Sequence, residues 1–201
     1  MGGEGGADDW AHCLAQAGHT QAGVTLIELM VVIAMVAIVL AIGIPDYQNF
    51  TRSNTLLAEV HTLKGDIALA RSEAATTGSN VLICASSNPT NSTPGCSGSN
   101  EWNTGWAVIP TDSTCTVTTG QAIRVRGAFL SQNTVTFTNA AGGTAPTSFC
   151  FNRNGLPATG STLSGIFIFN TKNNNTGDEL CLGINDSGHM NILAAGQSGC
   201  P

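Results

Sequence analysis

GVTLIELMVVIAMVAIVLAIGIP, Gly23 to Pro45, is the stretch whose reading decides the fold. It is apolar almost throughout and carries one charge, Glu28, near its start. As a helix, residues 24–44 would span about 31 Å, close to the hydrocarbon thickness of a bilayer. A core helix is rarely apolar on every face for so long. A secretory signal peptide has a basic n-region and a small-residue cleavage site after its apolar core. Here no Lys or Arg precedes Arg52, and the small pair Ala22-Gly23 comes before the run. An ordinary anchor leaves Glu28 unexplained. A carboxylate in a membrane helix costs about 2.5–3.5 kcal/mol at the centre, less near an end, and marks function by default.

Around this run the composition is that of a secreted, β-rich, loop-rich domain. The 201 residues suit one domain with an appendage. Only 10% are charged, against about 25% in ordinary soluble domains. Net charge is −6, with Glu4, Asp8 and Asp9 lying before the run. An acidic balance gives no broad attraction for nucleic acid. Of seven cysteines, Cys13 precedes the run, and Cys84, Cys96, Cys115, Cys150, Cys181 and Cys200 follow it. There is no CxxC pair and no His at zinc-site spacing, so no metal is expected. Six thiols read as three disulfides formed in an oxidising compartment; the alternative is free cysteines in a cytosolic protein. Six cysteines allow about fifteen pairings. Cys84–Cys96 would close a short loop, Cys181–Cys200 would tie down the C-terminal tail, and Cys115–Cys150 would be left.

Gly23-Val24-Thr25-Leu26-Ile27-Glu28-Leu29 resembles the processing site of type IV pilins and type II secretion pseudopilins. The resemblance implies that a prepilin peptidase cuts between Gly23 and Val24, then N-methylates Val24, with the apolar helix retained. It implies partners too: the lipid bilayer, the inner-membrane assembly platform and other pilin-like subunits. Glu28, in a motif that includes Thr25, would meet the N-terminal amine of a neighbouring subunit. That pairing would offset the desolvation of both charges and set the axial register. Pro45, which kinks or ends a helix, falls where the family also has a proline. Pilins usually carry Phe where this chain has Val24. The leader lacks basic residues, so the positive-inside rule gives no orientation. The cysteines argue instead that residues after Pro45 face the oxidising, periplasmic side.

Beyond Pro45, Leu56, Val60, Leu63, Ile67, Ala70 and Ala74 recur at spacings of three and four, one helical stripe. It predicts a helix running on to about Thr77, with Gly78 as a stop signal and Arg52, Lys64 and Arg71 on other faces. From Val81, β-prone stretches alternate with Gly, Asn, Pro and Ser clusters. Strands are expected over 81–84, 106–109, 122–126, 134–137, 148–151, 165–169, 180–184 and 190–193. The fold class is therefore α+β: a long N-terminal helix packed on an antiparallel β-sheet domain, which is the type IV pilin fold the resemblance implies. The expected organisation is a cleaved leader over 1–23, a transmembrane helix and filament core over 24–44, an amphipathic continuation over 45–78, and a periplasmic β-rich domain over 79–201.

Three further stretches resemble the FimT/GspH minor pilins: Ala70-Arg71-Ser72-Glu73-Ala74 with Val81-Leu82-Ile83-Cys84, Trp102-Asn103-Thr104-Gly105-Trp106, and Phe151-Asn152-Arg153-Asn154-Gly155. The resemblance implies a structural subunit of a type II secretion pseudopilus or type IV pilus. Trp102 and Trp106 are read first as core. An alternative function is DNA binding for natural transformation, which some relatives perform through a C-terminal G-R-x-R motif. The corresponding Gly188-His189-Met190-Asn191 lacks both arginines. Arg124 and Arg126, two apart, share one strand face and are the remaining candidates for a phosphate contact, against a solvated face. No enzyme and no cofactor are expected. His12, His19, His61 and His189 have no neighbouring nucleophile motif, and the Gly-rich stretches lack the P-loop lysine.

Overall fold

The computed structural model describes residues 23–89, 94–117, 121–142, 144–158, 160–161, 163–172 and 177–200. Residues 1–22 of the expected leader, with His12, Cys13 and His19, lie outside the described residues. The chain divides into two units, Met1–Asp46 and Tyr47–Pro201.

One helix, α1 (Leu26–Thr77), runs from the first unit into the second. It starts where it does because Thr25 caps it. The Thr25 hydroxyl accepts the Glu28 N–H at 3.2 Å, and the Thr25 carbonyl accepts the Leu29 N–H at 3.2 Å. This is the T-x-x-E spacing of a capping box, and Glu28 in the first turn complements the helix dipole. In the first unit every described residue is exposed, so the apolar run has nothing packed on it. Pro45 lies inside α1 and does not end it; a proline there forfeits one backbone hydrogen bond.

In the second unit the helical stripe is buried. Leu56, Val60, Leu63, Ile67, Ala70 and Ala74 are all 1% exposed or less. They pack on two four-stranded antiparallel sheets. The first contains β1 (Asn80–Ala85), β2 (Trp106–Thr111), β3 (Arg124–Arg126) and β5 (Ser148–Phe151), in the order β3-β2-β1-β5. The second contains β4 (Thr134–Asn139), β6 (Gly165–Asn170), β7 (Leu180–Ile184) and β8 (Met190–Ala194), in the order β4-β6-β7-β8. Strand boundaries fall within two residues of those the alternation predicts. In β4 and β6 alternate residues point inward, and register matches Val135 to Phe169 and Phe137 to Phe167. In the first sheet Ile83 stands between Val108 and Phe149. These side chains and the helix stripe form one core. Each buried Leu, Val or Ile of the stripe contributes about 1.5–3 kcal/mol.

β1 is buried along its length after Asn80 because both of its faces are covered. Val81, Ile83 and Ala85 face the main core, whereas Leu82 and Cys84 join Ala107, Ile109 and Cys150 in a second cluster on the opposite face. Disulfides hold that second layer: Cys84–Cys96 and Cys115–Cys150, with Cα–Cα distances of 5.5 and 6.0 Å. The third, Cys181–Cys200, spans 5.7 Å. It ties the C-terminal tail to the face of β7 opposite Leu182 and Ile184.

Candidate assembly site

The N-terminal candidates form one short structural unit. Gly23 and Val24 precede the helix and are exposed, Thr25 caps it, and Glu28 occupies its first turn. The Glu28 carboxylate makes no salt bridge among the described residues; the single ion pair there joins Arg126 to Asp66. Thr25 thus has a local role as cap. Glu28 remains a charge on an apolar helix without a salt-bridge partner among the described residues.

The second unit carries a polar joint that periodicity alone does not reveal. Asp66 sits inside the apolar stripe of α1 and is 3% exposed. Its Oδ2 accepts the indole N–H of Trp106 at 3.0 Å and Nε–H of Arg126 at 2.7 Å; Arg126 Nη2 reaches Oδ1 at 3.4 Å. The hydrogen bond that Arg126 donates to the Asp66 carboxylate holds the guanidinium above its ordinary pKa. A buried carboxylate requires such partners, so Asp66 fixes β2 and β3 against the helix. The sequence does carry a signal for it, an acid set between Leu63 and Ile67 in an otherwise apolar stripe.

The Trp102–Trp106 motif forms the other side of this joint. Trp102 opens a 3-10 turn (Trp102–Thr104) and packs against the rings of Phe149 and Phe167, at centroid distances of 5.6 and 5.1 Å. Gly105 follows at φ 120°, where a Cβ would lie 2.5 Å from the Arg126 carbonyl oxygen. The position therefore needs glycine for both its backbone angle and the close approach of β3. Both indoles are core, as the bland reading of the motif has it.

Arg71, on another face of α1 than the apolar stripe, still meets the β-rich part. It is half-buried, and its Nη1 donates to the Gly188 carbonyl at 3.1 Å. Its stem lies beside Gly155, where a Cβ would come within 3.2 Å of Arg71 Cγ. One helix arginine thus joins the turn after β5 to the turn after β7. Glu59 acts similarly, accepting Ser131 Oγ at 2.5 Å and Asn133 Nδ2 at 2.8 Å.

Of the two candidate phosphate contacts, Arg124 is exposed and Arg126 is held by Asp66. The structure does not bring them together as a free cationic pair. His61 and His189 are both exposed. A polar cleft of about 720 Å³ lies at the end of α1, lined by Asn80, Asp112, Thr114, Asn152 and Arg153 among others. There the Thr114 hydroxyl and N–H, at 2.6 and 2.9 Å, draw the Asp112 carboxyl below its ordinary pKa of 3.8, with Thr116 adding weaker bonds.

The family model described as type II transport protein GspH matches residues 59–188. The chain belongs to the GspH family. A second model, the prokaryotic N-terminal methylation motif, matches residues 18–44 of this GspH-family chain. Prepilin peptidase-dependent protein D of Escherichia coli K12 is 57% identical over 42 residues, 21% of this chain and 29% of that protein. The chain thus spans under a third of that curated relative's length. Among solved structures, the type IV minor pilin FimU of Pseudomonas aeruginosa is 19% identical, with a TM-score of 0.53 over 76% of this chain and 96% of that one. This likeness shows the fold, the long helix on antiparallel sheets of a type IV minor pilin. The minor pseudopilin EpsH from the type 2 secretion system of Vibrio cholerae is 11% identical, with a TM-score of 0.46 over 70% of this chain and 97% of that one.

Proposed function

We propose that this GspH-family chain is a minor pseudopilin, a structural subunit of a type II secretion pseudopilus. Prepilin peptidase cuts it between Gly23 and Val24 and N-methylates Val24. Residues 24–44 then anchor it in the inner membrane with the domain after Pro45 in the periplasm, and an assembly platform moves it into a filament with other pilin-like subunits.

One observation carries this reading: a capped helix, exposed at every position from Leu26 to Ile44 and apolar but for Glu28, whose charge has no salt-bridge partner among the described residues. Such a surface suits two environments, lipid and a bundle of like helices. Glu28 is costly in the first and useful in the second, where a neighbour's terminal amine offsets its desolvation. The methylation-motif match over residues 18–44 supports the processing step. Type IV pilus service rests on the same helix, and the GspH match favours secretion. DNA uptake draws no support, because Arg126 is engaged by Asp66 and residues 188–191 lack arginine.

The test is mass spectrometry of the native N-terminus together with Glu28→Ala. Methylated Val24 is expected at the terminus. Glu28→Ala is expected to reach the membrane yet enter filaments poorly. An uncut leader defeats the processing reading, and normal incorporation defeats the register role.

A further inference from the structure

The loop between β3 and β4 holds Leu130 fully exposed, at 100%. The loop is built, not loose. The Phe129 N–H donates to the Asn103 carbonyl at 3.0 Å, and its ring meets Trp106 edge-on at 5.6 Å. On the other side, Ser131 and Asn133 are tied to Glu59. Leu130 is therefore a prong held outward from both flanks. It lines a mostly apolar groove of about 520 Å³ with Tyr47, Thr51, Arg52 and Lys172. Tyr47 is 71% exposed, and Phe50, one turn along the helix from it, is 67% exposed.

Single exposed apolar residues need no explanation, but a group on one surface does. This group begins three residues after Ile44, the end of the apolar run. Tyrosine there is the residue type that gathers at a membrane–water boundary. Arg52 and Lys172 can lay their stems along apolar surface while their charged heads reach phosphate, and neither is in a salt bridge among the described residues. Glu59 is occupied by Ser131 and Asn133, and the exposed Asp46 beside Tyr47 is in no salt bridge among the described residues.

We infer that Tyr47, Leu130, Arg52 and Lys172 form a seat on the lipid surface: before filament assembly Leu130 and Tyr47 enter the headgroup–acyl boundary and the two cations meet lipid phosphates. The inference rests on the anchoring proposed above. The occupant is lipid because the surface continues in sequence from the lipid-suited run and pairs apolar prongs with cations.

Full-length chain carrying Leu130→Trp, reconstituted in phosphatidylethanolamine–phosphatidylglycerol bilayers, tests it against lipids brominated on the upper acyl carbons. Ile44→Trp serves as the anchoring control, and the parent chain gives the background emission. The expected result is loss of the added emission in both variants. Loss for Ile44→Trp alone overturns the seat while anchoring stands. Loss for neither overturns the anchoring reading, and the seat with it. A Leu130→Trp emission that bromolipid leaves untouched, but that shifts to the blue in assembled filaments, assigns the groove to a neighbouring subunit and also overturns the seat.

Discussion

The indole N–H of Trp106 meets the carboxylate of Asp66 at 3.0 Å, across 40 residues of sequence. Removing the acid strands a buried donor, which costs about 1–3 kcal/mol. Asp66→Ala is therefore expected to lower the stability of the Tyr47–Pro201 unit by about 2 kcal/mol, read as a reduced urea midpoint. Arg126→Ala keeps the Trp106 bond to Asp66, so its loss should be smaller. Equal losses would remove Trp106 from the account.

Arg71 and Gly188 make a second test. Gly188 has φ +78°, and a Cβ there would run into the Arg71 guanidinium. Gly188→Ala should then cost backbone strain of about 1 kcal/mol or more, plus the loss of the Arg71 bond. In Arg71→Ala the second part is already gone. The glycine substitution is expected to cost less in that background, by a double-mutant cycle on thermal or urea unfolding. Strict additivity would contradict the contact.

The disulfides close loops of different length, 12 residues for Cys84–Cys96 and 35 for Cys115–Cys150. Loop-closure entropy gives about 3 kcal/mol for the shorter and nearly 4 kcal/mol for the longer. Replacing both members of the longer pair by Ala should destabilise the domain more. The reverse order in paired unfolding curves would argue that burial at Cys84 outweighs chain entropy.

Asp112 gives a pH prediction. Its hydrogen bonds from Thr114, and more weakly Thr116, favour the ionised form, so its folded pKa lies below 3.8. Its contribution is then complete above that ordinary value. It is lost as pH falls through the lower, folded value. An NMR titration of its carboxyl carbon should give a midpoint below 3.8, and Thr114→Val should raise it. A midpoint unmoved by that change would sink the assignment.

Much of this architecture is legible locally. The apolar run, the 56–74 stripe and the strands follow from periods of 3.6 and 2 within short windows. The partition into two sheets does not, because β5 pairs with β1 across more than 60 residues and displaces β4 to the other sheet. The contact of Arg71 is hidden for the same reason, and Asp66 shows in sequence only as an acid within the apolar stripe, with its partners unnamed. A charge on a helix reads as solvent-facing until its distant partner is known. Thr25 and Glu28 are legible as a pair at capping distance, but the proposed use of Glu28 between subunits depends on a neighbour that one chain does not contain.

In the first sheet, sulfur and aromatic rings occupy opposite faces: Cys84 and Cys150 on one, Trp106, Phe149 and Phe151 on the other. The ring-lined interior, where the helix docks, can therefore form while the thiols are still reduced. Oxidation then fastens the outer coverings. A cell defective in thiol oxidation would accumulate a subunit with a formed interior and unfastened outer loops, which proteases would find first.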